Sequence, residues 1–110
     1  MQRTTLQVNF KLRVPTEDYR ALCAAAAPAI ADMPGLVWKL FTLDEKASTA
    51  AGLYLFADRA SAEAYVGSPI IGGLRDHPGI AELEVRMMDV DEELSQITGP
   101  ARARTKGGSR

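Results

Sequence analysis

Cysteine, histidine and tryptophan each occur once in this 110-residue chain, as Cys23, His77 and Trp38. A lone cysteine allows no internal disulfide, as expected in a reducing compartment. One His and one Cys on different segments supply too few soft ligands for a metal cage. Asp91-Glu92-Glu93 reads as a solvated acidic turn rather than a cation site. No glycine-rich phosphate loop follows a strand, since Gly72-Gly73 falls late in a predicted helix, and no serine sits in a nucleophile elbow. No apolar run approaches the roughly 20 residues that span a bilayer. The opening MQRTTLQVNF lacks the charged-then-apolar layout of a secretory signal. The expected location is cytoplasmic, away from any membrane.

Charge of one sign is also scarce, with a net of −1 at pH 7. The last ten residues hold Arg102, Arg104, Lys106 and Arg110 and no acid, so the remainder carries −5. An acidic body argues against nucleic acid as a partner, because a nucleic-acid binder needs a basic face on its folded part. Residues 1–99 are read as one domain and residues 100–110 as a disordered basic tail.

What is present is periodic. Leu6, Val8, Phe10 and Leu12 alternate with Gln7, Asn9, Lys11 and Arg13, which is strand spacing. After Pro15, Thr16 is the expected N-cap, with Glu17 and Asp18 in the first turn. Tyr19, Leu22, Cys23, Ala26, Ile30 and Met33 then recur at helical spacing, with a kink expected at Pro28. Strands are predicted at Leu36–Leu43 and Ala51–Ala57, joined as a hairpin. A helix opens at Asp58, breaks at Gly67 and restarts at Ser68-Pro69. Residues 81–90 form a last strand, and the segment after it is read as leading out of the domain. The order is β-α-β-β-α-β. It predicts a ferredoxin-like βαββαβ domain of the α+β class, a four-stranded antiparallel sheet with two helices on one face.

The middle strands are apolar on both faces: Leu36, Val37, Trp38, Leu40 and Phe41, then Leu53, Tyr54, Leu55 and Phe56. A strand with one wet face alternates, whereas one covered on both faces reads continuously apolar. Two helices cover only one face. Hiding about 400 Å2 of the other is worth on the order of 10 kcal/mol before association costs. A second copy of the same sheet is the expected cover, giving a homodimer through the sheet face. A cavity is expected where bulky and small side chains meet, such as Trp38 beside Gly52.

The stretches Pro34-Gly35-Leu36-Val37-Trp38-Lys39, Gly52-Leu53-Tyr54-Leu55-Phe56, Ser61 to Tyr65, Asp89-Val90 and Glu93-Leu94-Ser95-Gln96 resemble the YdhR-type monooxygenases. That family belongs to the dimeric α+β barrel superfamily, and the resemblance covers about residues 4–98. Singly the PGxxWK and GxYxF patterns are loose; in this order they are specific. The resemblance implies a homodimeric dimeric α+β barrel with a cavity between each sheet and its helices or partner. It also implies a monooxygenase that oxidises anthrone- or quinol-like aromatics with molecular oxygen and no cofactor, neither metal nor flavin. Haem-degrading relatives hold iron through a histidine late in the second helix. That position falls at Arg75, and His77 lies about 200° further round, which disfavours haem.

Cofactor-free oxidation asks a protein for a dry cavity, orientation and donors to a developing anion. Trp38 offers an indole N–H and a stacking surface, unless it only packs an interface. Tyr54 offers a hydroxyl to donate or relay a proton, and Asn9 an amide; these three are the catalytic candidates. Phe56, Arg86, Tyr65 and Lys39 are the substrate-binding candidates. Phe56 shapes a wall, Tyr65 reaches the mouth, and Arg86 holds an oxyanion unless it pairs with Glu84 or Glu82. Lys39, next to Trp38, points oppositely unless a bulge intervenes. The same residues are compatible with a non-catalytic binding protein. They are also compatible with an isomerase or dehydratase using Asn9, Tyr54 or Lys39 in proton transfer.

Overall fold

Alternation over Thr4–Leu12 produces β1, whose residues switch between buried and partly exposed at nearly every step. The computed structural model describes residues 2–99, so the basic tail expected at 100–110 lies outside the described residues. After β1 come α1 (Thr16–Ala31), β2 (Leu36–Asp44), β3 (Thr49–Phe56), α2 (Arg59–Val66), α3 (Pro69–Asp76), β4 (Ile80–Asp89) and α4 (Glu92–Thr98). The strands form one antiparallel sheet in the order β2-β3-β1-β4. This is the ferredoxin-like arrangement the sequence predicts, with its second helix divided in two. No helix among the described residues is long and apolar enough to cross a membrane.

The core lies between the helices and one sheet face. Leu6, Val8, Phe10, Leu12, Ala50, Tyr54 and Phe56 supply the sheet side, and Tyr19, Ile30, Ala62, Tyr65 and Ile71 the helix side. Truncating a fully buried member such as Leu6 to alanine costs about 2–5 kcal/mol by leaving a cavity.

Local chemistry sets the boundaries. Pro15, not Thr16, occupies the N-cap of α1, and its carbonyl accepts from the N–H groups of Asp18 and Tyr19. Thr16 is already helical, and its hydroxyl donates outward to Glu45 at 3.1 Å. α1 continues three residues past Pro28, and Asp32 N–H closes onto the Pro28 carbonyl. Asp58 caps α2 by accepting from Ser61 N–H at 2.8 Å. Gly67 stops α2, and Pro69 opens α3 at its first position, as the sequence predicts. Gly35 takes a left-handed φ of 81°, and a Cβ there would collide with the Ser61 side chain. Glycine thus lets the turn after α1 settle against α2.

α4 is a departure from the expected lead-out. Asp91 caps it by accepting from Leu94 N–H at 3.0 Å, and Glu92 and Glu93 lie in its first turn. Arg3 of the N-terminal segment grips Glu92 with its guanidinium at 2.8 Å and its backbone N–H at 3.0 Å. Those bonds hold the Glu92 carboxyl down to about 2.

Two bulges interrupt the ladders. In β2 the register shifts by one residue between Leu36 and Trp38, leaving Val37 extra. In β4 a shift opposite Asn9 to Lys11 coincides with Glu82 at a φ of 55°. The second sheet face is apolar at its β2–β3 half, with Trp38, Leu40, Leu53 and Leu55, and polar along β1, with Thr5, Gln7 and Asn9. Trp38 and Leu40 there are 40% and 54% exposed.

Candidate functional site

The Val37 bulge decides which β2 side chains meet the helices. Pairing in phase with Leu36 and Phe56 would set Trp38 opposite Tyr54, on the helix side. The extra residue instead pairs Trp38 with Leu55 and Lys39 with Tyr54. One inserted residue exchanges the two faces. Lys39 therefore points under the helices, and Trp38 lies on the open face. Trp38 is not beside Gly52, which pairs with Phe41.

A cavity of about 270 Å3 lies between sheet and helices. Small residues keep it open: Cys23 and Ala26 of α1, Gly52 of β3 and Gly73 of α3 all line it. At Gly52 a Cβ would stand 2.8 Å from the Tyr54 ring and 3.1 Å from Lys39 Cε. The missing side chain is what lets both groups lie across the cavity wall. Leu22, Ile30, Ile70 and Leu74 make the rest of the lining largely apolar.

Its polar groups are few. The hydroxyls of Tyr54 and Tyr65 are hydrogen-bonded at 2.7 Å. Both residues are buried, and their rings are 4.9 Å apart. One proton serves the bond between them, so the other O–H is available to a ligand oxygen. Burial raises the Tyr54 hydroxyl far above its usual range, and the neighbouring Tyr65 adds to the effect. Burial raises Tyr65 as well, although the Tyr54 bond opposes it. The pair is thus a protonated donor at neutral pH, not a base. Phe56, fully buried behind them, stacks on Tyr54 at 5.9 Å and fixes its ring.

Lys39 Nζ lies 3.8 Å from the Phe41 ring centroid and 4.6 Å from that of Tyr54. Burial lowers its pKa to about 8, and Cys23 acts weakly the other way. Tyr19 packs edge-on against Phe10 and, with His77, completes the lining. His77 Nδ1 accepts from Gly79 N–H at 2.9 Å.

The cavity thus gathers Tyr54, Tyr65 and Lys39 from the expected set, with Phe56 as support. Asn9 sits elsewhere: its side-chain oxygen accepts from Gln7 at 2.9 Å, and it borders an open hollow with Lys11, Thr42 and Glu82. Arg86 is exposed and pairs with Glu84 at 3.2 Å, the salt-bridge alternative. His77, expected at the surface, is half-buried and lines the cavity, and Tyr19, Cys23 and Phe41 are lining residues that sequence reasoning passed over. Tyr19 and Cys23 lay on the legible helical stripe, but nothing in the spacing marked a void beside it. Among the described residues no three His, Cys, Asp or Glu side chains gather in a metal-holding cluster.

Comparison with known proteins places these features in context. The family described as "Putative mono-oxygenase ydhR" matches residues 5–100. A protein of unknown function from Nitrosomonas europaea superposes with a TM-score of 0.68 at 19% identity, covering 83% of this chain and 91% of its own. SnoaB, a cofactor-independent oxygenase from Streptomyces nogalater, gives 0.65 at 15% identity, covering 80% and 92%. The haem degrader MhuD from Mycobacterium tuberculosis gives 0.61 at 13% identity, covering 79% and 95%. At these identities the superpositions establish a shared fold alone. Among curated proteins none matches the chain.

Proposed function

The chain belongs to the YdhR mono-oxygenase family, and from that premise we propose that it oxidises a small phenolic or quinol-like aromatic in the sheet–helix cavity. The observation that carries this reading is the Tyr54–Tyr65 hydroxyl pair, buried in an apolar cavity of about 270 Å3. That volume lies just under the ~300–1,000 Å3 typical of drug-sized ligand clefts, which suits a small planar molecule. The fold likeness to SnoaB supports oxygen chemistry without a cofactor.

The chemistry asks little of the protein. A phenol or anthrone gives up its proton to water, and the resulting anion reduces oxygen directly. One oxygen atom enters the substrate as a carbonyl and the other leaves as water, with the substrate supplying the electrons. The free O–H of the tyrosine pair donates to the substrate oxygen as negative charge develops there, and the apolar walls strengthen that bond by excluding water. A second copy of the chain is proposed to cover the open face around Trp38 and Leu40, making a homodimer with one cavity per subunit.

Oxygen uptake with a panel of quinols and anthrones tests the reading. The wild type is expected to consume oxygen with at least one of them. Tyr54→Phe is expected to lower kcat by about 10²-fold, the usual loss on removing an oxyanion donor. Binding without any oxygen uptake would favour a protein that only sequesters an aromatic metabolite.

A further inference from the structure

Lys39 is a half-buried cation with no counter-ion. Among the described residues no carboxylate lies within 4.0 Å of its Nζ, and Nζ donates no hydrogen bond. The paired cations Arg3, Lys11, Arg59 and Arg86 lie at the surface beside acids. The titratable groups that line the cavity with Lys39 are Tyr54 of β3, Tyr65 of α2, Tyr19 and Cys23 of α1, and His77 after α3. None is a carboxylate.

An ammonium resting on two aromatic faces is partly stabilised by their quadrupoles, yet no protein acceptor among the described residues meets its N–H donors. Keeping a charge there without a partner is unfavourable, as the fall of the Lys39 pKa to about 8 reflects. The natural occupant is therefore one that brings a negative charge into an otherwise apolar space. We propose that the cavity binds a planar aromatic as its monoanion, a phenolate or a carboxylate, with Lys39 Nζ as the counter-ion and the tyrosine pair donating to ligand oxygen. This rests on the cavity's being the ligand site but not on oxygen chemistry. It narrows the substrate class to acidic aromatics.

Three probes separate the possibilities: naphthoate, the uncharged naphthalenecarboxamide of the same shape, and para-nitrophenol, whose anion absorbs in the visible. At pH 7 the full chain is expected to bind naphthoate at least tenfold tighter than the carboxamide. It is also expected to hold para-nitrophenol as its coloured phenolate at a pH where the free compound is mostly protonated. A response to only one acid identifies the source of the anionic oxygen and supports the pairing. The preference should shrink as pH rises past about 8, where Lys39 loses its proton.

Lys39→Met should remove the preference, with an unchanged circular dichroism spectrum and melting transition as the control for folding. Lys39→Arg should keep it. Equal affinity for naphthoate and carboxamide in the wild type together with no phenolate colour from para-nitrophenol, or an anion preference that survives Lys39→Met, would overturn the proposal. Anion preference with no oxygen uptake would sink only the oxygenase reading.

Discussion

Tyr54 and Tyr65 share one hydrogen bond, so each variant that deletes one hydroxyl leaves the other without its protein partner in the core. Tyr54→Phe is expected to lower stability by about 1–3 kcal/mol, the usual penalty for an orphaned buried donor. Urea titration checks this, and a Tyr54→Phe/Tyr65→Phe double variant should cost less than the two singles summed. Lys39 adds a pH signature. Its folded-state pKa of about 8 lies below its ordinary 10.5. The unfolded chain therefore binds more protons between those values, and stability should rise with pH from about 8 until tyrosine ionisation intervenes near 10. Lys39→Met should flatten that rise in thermal melts recorded across the range.

At the scale of the element, the junctions carry the specific information. Gly35→Ala forces a side chain onto a left-handed φ and into Ser61. A loss of about 1–3 kcal/mol is expected, and Ser61→Gly should recover only the steric share, as chemical denaturation can show. The tie between Arg3 and Glu92 predicts how α4 behaves in acid. Glu92 titrates at about 2 when folded, against an ordinary 4.5. The tie is complete above 4.5 and is lost as pH falls towards 2. Both side chains are about two-fifths exposed, so solvent screens the pair and the effect should be confined to α4. Protection factors for amide exchange at Leu94 and Ser95, taken relative to the intrinsic rate at each pH, should fall over that window in the wild type and be already low in Glu92→Gln.

For the whole molecule the open sheet face is the governing feature. Trp38, Leu40 and Met88 project from it, and 40–63% of each is exposed. A second copy covering that face predicts a dimer in sedimentation at micromolar concentration. Leu40→Lys would set two like charges against each other across a two-fold axis and should yield monomers with an unchanged circular dichroism spectrum. A wild-type monomer under the same conditions would refute the assembly.

The sequence by itself determined the order of the elements from β1 to β4, the split of the second helix at Gly67 and the apolar excess of β2 and β3, because alternation and punctuation act over a few residues. The cap at Asp91 with Glu92 and Glu93 behind it is a start signal for α4 that the reading as a solvated acidic turn misses. Tertiary structure alone decided which face each β2 side chain takes. A strand's alternation is relative, and a single bulged residue at Val37 inverts everything after it, sending Trp38 outward and Lys39 in. It also decided that Cys23, Ala26, Gly52 and Gly73 leave a void, since small residues far apart in the chain enclose space only once sheet and helices are packed together.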